Sequence, residues 1–387
     1  MNTGPMAYLS HGKALRMIKL LSVFGTRPEV IKMAPVIKEL NRHPAEFNCR
    51  VCITAQHRQM IDPLLDLFTI KPDYDLNLMQ EDQTLEHITI TVLTELGKII
   101  NYEEPDYLVV QGDTTTAMAG SLAAFYQKTK VGHVEAGLRT GNKYHPYPEE
   151  VNRRIIDSLS DLYFAHTEQA KQNLVGEGVD DAKIEVTGNT VIDALLNVAE
   201  REFDMAGTIL EKIQWNGKKV VLVTAHRREN FGNPLANICK AIREMAIRYP
   251  SDLCFIYPVH LNPNVQKTVH SMLDGVENIL LVDPLEYAPF VQVMKRSYLI
   301  LTDSGGLQEE APSLGKPVLV LREITERPEG VAAGAVEVIG TEPGRIVEKT
   351  TELLINQEKY KVMSRAVNPY GDGKASERIV KRFLREV

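Results

Sequence analysis

The strongest constraint on the fold is a regular alternation of short Val-, Ile- and Leu-rich segments with longer amphipathic ones. Segments such as IKLLSVF (18–24), YLVVQG (107–112) and KVVLVTA (219–225) are apolar at nearly every position rather than at every second one. Continuous apolar runs of this length are typical of strands that are buried on both faces of a parallel sheet. Parallel strands joined by helices form right-handed βαβ units, so the alternation predicts an α/β fold with doubly wound sheets.

The predicted strands form two groups along the chain. The first group comprises 18–24, 49–55, 107–112, 131–135, 162–167 and 184–188, and the second comprises 219–225, 253–259, 279–284, 298–304 and 317–323. A long helical stretch at 189–213 is predicted between the groups, and a helix over 374–387 is predicted to end the chain. A length of 387 residues suits two domains better than one core, with the boundary near 187–189.

Composition and charge narrow the class of protein. Hydrophobic residues make up 44% and charged residues 25%, with a net charge of −7, which is a soluble globular mix and argues against a broad nucleic-acid-binding face. No apolar run approaches the ~20 residues that span a bilayer, and the N-terminus lacks the apolar core of a signal peptide. We therefore expect a cytoplasmic protein without a membrane partner, with a disordered extension over 1–17.

Several motifs that would indicate a metal or redox site are missing. Cys49 and Cys52 form a CxxC, but both lie in a predicted strand, where residues three apart face opposite sides. Buried strand cysteines are therefore expected rather than a shared metal site. The chain also lacks an HExxH motif, a P-loop, a GxSxG elbow and a GxGxxG dinucleotide fingerprint. The sequence thus predicts no metal and no nicotinamide cofactor.

Polar residues of chemically useful types follow the strands of both groups. Ligands of doubly wound sheets bind outside the carboxyl ends of the strands, so these loops predict a functional cleft between two facing domains. The loops are GTRPE (25–29), QGDTTT (111–116), EAGLRT (135–140), HRREN (226–230), HLNPN (260–264) and DSGGLQEE (303–310).

Two of these loops, together with Lys32 from the helix after the first, suit an anionic, ribose-containing ligand. Ser304-Gly305-Gly306 ends a strand and begins a helix, where backbone N–H groups can approach a diphosphate closely. Glu310 lies one turn further on, where it could accept hydrogen bonds from ribose hydroxyls. Arg27 and Lys32 could converge on phosphate. The alternatives are a helix cap at Ser304 and ordinary surface charges at the other two.

Proton transfer is predicted on the first domain. Asp113, Glu135 and Glu149 lie in its loops, and carboxylates that share a closed cleft raise each other's pKa toward neutrality. His226 ends a strand of the second domain and would face them. Alternatively, Glu149 compensates a helix dipole and His226 is structural.

Long motifs in this chain resemble those of the non-hydrolysing UDP-N-acetylglucosamine (UDP-GlcNAc) 2-epimerases. The resemblance covers roughly residues 18–380. The matching segments are FGTRPEVIKMAPVI (24–37), TAQHRQMID (54–62), QGDTTTAMAGSLAAFY (111–126), GHVEAGLRTGNKY (132–144), PEEVNRR (148–154), VTGNTVIDAL (186–195), VTAHRREN (223–230), YPVHLNPNV (257–265), LTDSGGLQEEAPSLGKPVLVLREITERPEG (301–330) and NPYGDGKASERI (368–379).

The resemblance implies a GT-B architecture of two Rossmann-like domains, 18–187 and 188–371, with a last helix (372–387) that crosses back to the first. It implies reversible conversion of UDP-GlcNAc to UDP-ManNAc without a cofactor, by elimination of UDP to a 2-acetamidoglucal and re-addition. The matching catalytic positions are Asp113, Glu135, Glu149 and His226. The matching UDP-binding positions are Arg27, Lys32, Phe290, Ser304, Gly305, Gly306, Glu310 and Arg327, together with His226.

The resemblance further implies a homodimer and activation by a second UDP-GlcNAc molecule. The positions that match this allosteric site are Gln56, His57, Gln59 and Arg227. Two departures from the family pattern stand out: an arginine is replaced around Asp82, and Gln111 stands where a histidine is usual, next to Asp113.

The resemblance leaves other functions open. These are a hydrolysing epimerase that releases free ManNAc and UDP, an epimerase for another UDP-2-acetamido sugar, a GT-B glycosyltransferase, and an inactive UDP-sugar sensor.

Overall fold

The computed structural model describes residues 16–386 except 56–57, 79–82, 214 and 216. It contains two entirely parallel sheets. The seven-stranded sheet is built from β1 (Ile18–Phe24), β2 (Phe47–Ile53), β3 (Tyr74–Asp75), β4 (Tyr107–Gln111), β5 (Lys130–Ala136), β6 (Leu162–Ala165) and β7 (Ile184–Val186). The six-stranded sheet is built from β8 (Lys219–Thr224), β9 (Leu253–Pro258), β10 (Ile279–Val282), β11 (Leu299–Thr302), β12 (Val318–Val320) and β13 (Val336–Val338).

Both sheets are doubly wound. The strand order is β3-β2-β1-β4-β5-β6-β7 in the first and β10-β9-β8-β11-β12-β13 in the second. The connecting helices are α1 (Arg27–Leu40), α2 (Arg58–Phe68), α3 (Leu85–Glu103), α4 (Thr115–Tyr126), α5 (Glu149–Leu159), α6 (Glu168–Gly176), α7 (Thr190–Ala199), α8 (Asn233–Arg248), α9 (Pro263–Leu273), α10 (Tyr287–Arg296), α11 (Gly305–Glu310), α12 (Pro328–Ala332), α13 (Pro343–Ile355), α14 (Gln357–Ser364) and α15 (Ala375–Leu384).

Every strand predicted from the apolar runs is present, and the predicted α/β class is confirmed. Two further strands escaped prediction, because β3 has two residues and β13 has three and both lie at the edge of a sheet. The predicted helix at 189–213 is wrong beyond residue 199. The chain turns there at Gly207, whose φ is +73°, and only a short 3₁₀ helix (Ile209–Lys212) follows. Most of the predicted disordered extension lies outside the described residues.

The start of α1 shows how local chemistry positions a loop at the carboxyl edge of the first sheet. The buried carboxylate of Glu29 accepts hydrogen bonds from the backbone N–H groups of Gly25 (3.0 Å) and Thr26 (2.8 Å). Such a contact satisfies donors that a helix N-terminus leaves free. Thr114, from the loop after β4, donates to the other oxygen of the same carboxylate at 2.7 Å. Glu29 therefore ties two neighbouring loops of the site together.

The chain crosses between the sheets twice, and the two crossings contact each other. The N–H of Asn189 donates to the carbonyl of Tyr370 at 2.6 Å. Gly188 has a φ of +85°, and a Cβ there would lie 3.2 Å from the Cα of Gly371. Asn189 also caps α7, the helix that follows the first crossing. The two crossings are thus tightly packed against each other.

The last helix, α15, packs on the first sheet. Phe383 is fully buried, with its ring 5.3 Å from those of both Tyr107 and Phe164. The buried carboxylate of Asp193 on α7 accepts hydrogen bonds from the N–H groups of Ala375 and Ser376, which fixes where α15 begins.

We expect Gly188→Ala to destabilise the protein more than the matched change Gly178→Ala. Gly178 has a similar φ of +91° but open space around its Cβ position. An alanine at positive φ costs about 1–2 kcal/mol at either site. At residue 188, overpacking against Gly371 should add at least about 1 kcal/mol. Urea denaturation of both variants measures the difference, and equal losses would show that the crossing is not tightly packed.

Candidate active site

Charged side chains from the two sheets meet at their carboxyl edges. Lys32, from α1, lies in the electrostatic field of Glu309 from the second sheet. Glu135, from β5, is in turn influenced by Arg327, which precedes α12. The cleft between the sheets is therefore lined by charges from both.

Glu135 is held in a strained position at the end of β5. Its φ is +67°, an unfavourable value for a residue with a Cβ, and the pairing of β5 with β6 shifts register at this point. Strain of this kind persists where the surrounding structure enforces it, which is common at functional sites. The carboxylate accepts hydrogen bonds from Lys32 and, at 2.5 Å, from the side-chain amide of Gln111.

The charge state of Glu135 differs from the sequence expectation. Burial acts to raise its pKa, but the neighbouring Lys32 and, more weakly, His166 and Arg327 hold the pKa well below its usual range. The pKa of Lys32 is raised, in spite of burial, chiefly by Glu135. The idea that neighbouring carboxylates raise each other's pKa is thus wrong for Glu135, because an ammonium group lies closer. Glu135 is therefore a buried carboxylate that is ionised at neutral pH.

Lys32 and Arg27 make different contacts in this structure, although both act to lower the pKa of Glu310. Five residues on a helix correspond to about 140° of net rotation, so the two side chains leave α1 in different directions. Lys32 binds Glu135, whereas Arg27 lines a cavity between the sheets.

Asp113 is paired with an arginine. Arg153 on α5 donates to its carboxylate through Nε (2.9 Å) and approaches it through Nη2 (2.8 Å). Asn152 donates to the backbone carbonyl of Asp113 at 2.9 Å. Gln111, which the sequence placed beside Asp113, instead directs its amide to Glu135. The side chain of residue 111 therefore acts on Glu135 rather than on Asp113.

Glu149 and Glu150 begin α5 and differ in their contacts. The carboxylate of Glu150 accepts hydrogen bonds from the N–H groups of Thr140 and Gly141 and from Arg153. Oε2 of Glu149 is buried and has no hydrogen-bond partner among the described residues. A buried carboxylate oxygen without a partner is costly, and a bound ligand that donates to it would remove that cost.

Two histidines escaped the sequence analysis. His133, in the middle of β5, lies 2.6 Å from Asp157 through Nδ1 and 2.7 Å from the carbonyl of Gly112 through Nε2. Asp157 also accepts from Arg139, and these two partners hold its pKa low in spite of its burial. Both ring nitrogens of His133 therefore lie within hydrogen-bond distance of an oxygen atom. The ring fixes the carbonyl directly before Asp113.

The other histidine, His166, follows β6 and is buried among Glu135, Glu309, Arg327 and Lys32. Burial lowers its pKa, so the ring is neutral, and its Nδ1 has no partner among the described residues. A lone histidine after a strand gave no signal that it would lie in this cluster.

On the second sheet, Arg327 forms an ion pair with Glu309. Glu309 also accepts a hydrogen bond from Asn189 at the crossing between the sheets, at 2.7 Å. Burial acts to lower the pKa of Arg327, but Glu309 raises it above its usual value. Glu309 was not predicted, because its neighbour Glu310 looked like the carboxylate that faces the cleft.

A cavity of about 290 Å³ lies beside this cluster. Its lining combines apolar side chains with charged and polar ones. Its lining residues are Arg27, Ile31, Thr224, His226, Pro258, His260, Pro284, Leu285, Tyr287, Phe290, Ser304, Leu307 and Glu310. Burial, reinforced by Glu309, raises the pKa of Glu310 to about 8. The buried hydroxyl of Tyr287 has no partner among the described residues.

The start of α11 lies at the inner end of this cavity. The Ser304 side chain makes no capping hydrogen bond, so the alternative of Ser304 as an ordinary cap is wrong. A Cβ on Gly305 would lie 3.6 Å from Nη2 of Arg227 and 3.9 Å from Nη2 of Arg327. Two guanidinium groups therefore lie close to the glycine backbone.

His226 lies on the second-sheet side of the cavity. Its ring stacks on that of His260, with centroids 5.2 Å apart. The charged groups that influence its pKa are Asp303, His260 and Arg227, and none of the three first-sheet carboxylates is among them.

The proposed allosteric residues can be placed only in part. Gln56, His57 and Asp82 lie outside the described residues. Gln59 is exposed near the start of α2, and Arg227 lies beside Gly305.

The remaining sequence features concern metals, thiols and membranes. None of the four cysteines forms a disulfide with a described residue, and burial raises the pKa of Cys52 to about 12, in line with strand cysteines of low reactivity. Within the described ranges, no group of three or more His, Cys, Asp or Glu side chains could hold a metal ion. No helix there is long and apolar enough to cross a membrane.

Comparison with known proteins identifies the family. The family model for UDP-N-acetylglucosamine 2-epimerase matches residues 38–384. The UDP-N-acetylglucosamine 2-epimerase of Escherichia coli K12 is 53% identical over 369 residues, covering 94% of this chain and 97% of that protein.

Comparison with solved structures leads to the same family. The UDP-GlcNAc 2-epimerase of Neisseria meningitidis bound to UDP-GlcNAc has a TM-score of 0.85 at 52% identity, covering 95% of this chain and 100% of that one. The Methanocaldococcus jannaschii UDP-GlcNAc 2-epimerase in complex with UDP-GlcNAc and UDP has a TM-score of 0.77 at 35% identity, covering 95% and 100%. The expected GT-B architecture is thereby confirmed, and this chain belongs to the UDP-N-acetylglucosamine 2-epimerase family.

Proposed function

We propose that this protein interconverts UDP-GlcNAc and UDP-ManNAc by eliminating UDP and adding it back. The observation that carries the proposal is an ionised carboxylate, Glu135, held by Lys32 at the boundary between the sheets and facing Arg327 of the second sheet. Relatives that share about half of their residues with this chain are named UDP-N-acetylglucosamine 2-epimerase, and the structure of the Neisseria meningitidis protein was solved with UDP-GlcNAc bound.

The chemistry explains why such a carboxylate is needed. The hydrogen on C2 of the sugar has no adjacent carbonyl to make it acidic. In the proposed route a base takes the C2 proton while the C1–O bond breaks and its electron pair leaves with UDP, giving a 2-acetamidoglucal. UDP then adds back to C1, and a proton is delivered to C2 from the opposite face. The sum is an inversion at C2 with no net oxidation.

Epimerisation needs proton-transfer groups on two faces of the sugar. Glu135 suits the role of acceptor because it is ionised. Glu149 has an unpartnered buried oxygen, and Asp113 is oriented by Arg153, so these two are the candidates for the opposite face. Buried groups of this kind act as general acids and bases when they lie within hydrogen-bond reach of the reacting carbon.

Departure of UDP needs donors that hold the diphosphate. Arg27, His226 and Ser304 line the cavity, and Arg327 lies close to the backbone of Gly305 directly after Ser304. Phe290 also lines the cavity and suits the uracil ring. Fixed donors aimed at developing charge stabilise the transition state. Closure of the cleft would also keep water from the glycal.

Two finer points belong to the same proposal. A second UDP-GlcNAc molecule would bind through Gln56, His57, Gln59 and Arg227, beside the first. The active form would be a homodimer.

We expect turnover of UDP-GlcNAc in D₂O to place deuterium on C2 of UDP-ManNAc, because the removed proton exchanges with solvent. Proton NMR of the reaction mixture, run with and without added nicotinamide cofactor, measures this. Retention of hydrogen at C2 would count against elimination. Steady accumulation of free UDP and ManNAc would instead indicate a hydrolysing epimerase.

We expect Glu135→Gln to lower kcat by roughly 10²–10⁴-fold, the usual range for loss of a general base. UDP affinity should change little, because Glu135 does not line the UDP cavity. Coupled assays and calorimetry with UDP measure the two effects. Glu95→Gln is the matched control, since Glu95 is partly exposed on α3, away from the cleft, and binds Lys98. A wild-type kcat in Glu135→Gln would remove Glu135 from the mechanism.

We expect UDP affinity to rise with pH as Glu310 ionises near its pKa of about 8, because only the carboxylate accepts hydrogen bonds from both ribose hydroxyls. The protonated acid predominates below that pH and accepts them poorly. Glu310→Gln should remove this part of the pH dependence. Isothermal titration between pH 7 and 9 tests it, and an unchanged slope in the variant would exclude Glu310 as the ribose acceptor.

A further inference from the structure

Asp303 directly follows β11 and is buried. One of its carboxylate oxygens accepts hydrogen bonds, and the other accepts none from the described residues. Its Oδ2 accepts hydrogen bonds from the N–H groups of His226 and Arg227, both at 2.8 Å, and from the amide of Asn230 at 3.0 Å. Its Oδ1 is equally buried and has no partner among the described residues. Leaving a buried carboxylate oxygen without a donor is unfavourable, so a donor is expected in another state of the protein.

The donor nearest to that oxygen is the ring of His226. Its Nδ1 lies 3.7 Å from Oδ1, which is too long for a hydrogen bond but within reach of a small movement of the side chain. The ring stacks flat on His260, with 9° between the planes, and about a third of the side chain is exposed to the cavity. It can therefore shift within the stack while its backbone stays tied to Asp303.

Pairing with Asp303 determines which ring nitrogen of His226 faces a ligand and whether that nitrogen can donate a hydrogen bond. A carboxylate oxygen can only accept, so contact with Oδ1 requires a hydrogen on Nδ1. Nε2 then points away from Asp303, and it becomes a donor once the ring is protonated. Without a ligand, burial, His260 and Arg227 lower the pKa of His226, and Asp303 alone opposes them. The negative charge of a diphosphate would add to the effect of Asp303 and favour the protonated ring.

We propose that Asp303 is a positioning residue that forms a carboxylate–histidine dyad with His226 when the diphosphate of a UDP-sugar enters the cleft. Closure of the 3.7 Å gap pairs Oδ1 with Nδ1–H and directs Nε2–H at the phosphate oxygen that departs with the C1–O electron pair. Asp303 itself touches no substrate. The proposal rests on the proposed function for its substrate, but the dyad requires only a bound diphosphate.

Asp303→Asn tests the proposal with little change in shape. The amide oxygen can take over the three donors now on Oδ2, and the NH₂ group then occupies the position of Oδ1. An NH₂ group cannot accept from Nδ1–H, so His226 can no longer be held in the protonated state. We expect kcat to fall about 100-fold or more, as in other sites where a carboxylate–histidine contact is broken. The alkaline limb of the kcat–pH profile should move to lower pH by one unit or more.

A matched control distinguishes loss of the Asp303–His226 contact from loss of the hydrogen bonds by which Asp303 supports the loop. Asn230→Ala removes one donor from Oδ2 of Asp303 and leaves Oδ1 untouched, so it should leave the alkaline limb in place whatever it does to the rate. In a His226→Asn background, Asp303→Asn should cost little, because the two residues act as a unit. An unmoved alkaline limb in Asp303→Asn, or an equal loss in the two backgrounds, would overturn the proposal.

A measurement without turnover keeps this test independent of the proposed reaction. In protein labelled with ¹⁵N-histidine, addition of UDP should raise the pKa of His226 and give its Nδ1 the signature of a hydrogen-bonded N–H, with the signal assigned from His226→Asn. Asp303→Asn should abolish both changes while its thermal unfolding shows a folded protein. If wild type shows both changes but does not epimerise UDP-GlcNAc, the proposed function fails and the dyad stands. If UDP binds without either change, the dyad is wrong.

Discussion

The ion pair between Lys32 and Glu135 is the interaction on which the electrostatics of the cleft depend. It sets the charge of the carboxylate that we propose as the proton acceptor, and it lies where the first sheet meets Glu309 and Arg327 of the second. Burial alone would neutralise such a carboxylate. Because Lys32 is buried beside it, Glu135 stays charged, whereas Glu310, without so close a cation, is protonated at neutral pH. At neutral pH, one glutamate of the cleft is therefore ionised and the other is neutral.

The sequence predicted the fold well because buried parallel strands leave a strong signal, namely continuous apolar runs. That signal fails for strands of two or three residues, as β3 and β13 show, and the helical pattern after Ala199 could not reveal the turn at Gly207. The polar residues that follow the strands correctly pointed to a cleft. Their partners could not be predicted, since Lys32 and Glu135 are 103 positions apart and meet only through the order of the strands.

Buried polar residues were the hardest to recognise. His133 lies within an apolar strand and His166 directly after one, and nothing in their sequence neighbours distinguishes a ring with partners at both nitrogens from one whose Nδ1 has no partner among the described residues. In the structure, the two histidines differ in whether oxygen atoms lie beside their ring nitrogens. A polar residue in the middle of an otherwise apolar strand was the one available sign, since burying such a group is costly unless it is paired. His133 interrupts an apolar strand in this way, whereas Glu309 lies in a helix and therefore gives no such sign.

The position of α15 has a consequence for the order in which the protein folds. Phe383 fills the space between Tyr107 and Phe164, so the core of the first sheet is completed by residues that follow the whole of the second sheet in the chain. On the ribosome, the domain that is made first must therefore wait with an open apolar surface until the final helix emerges. A chaperone that shields this surface during synthesis would act on the N-terminal half of the chain, although the missing piece is C-terminal.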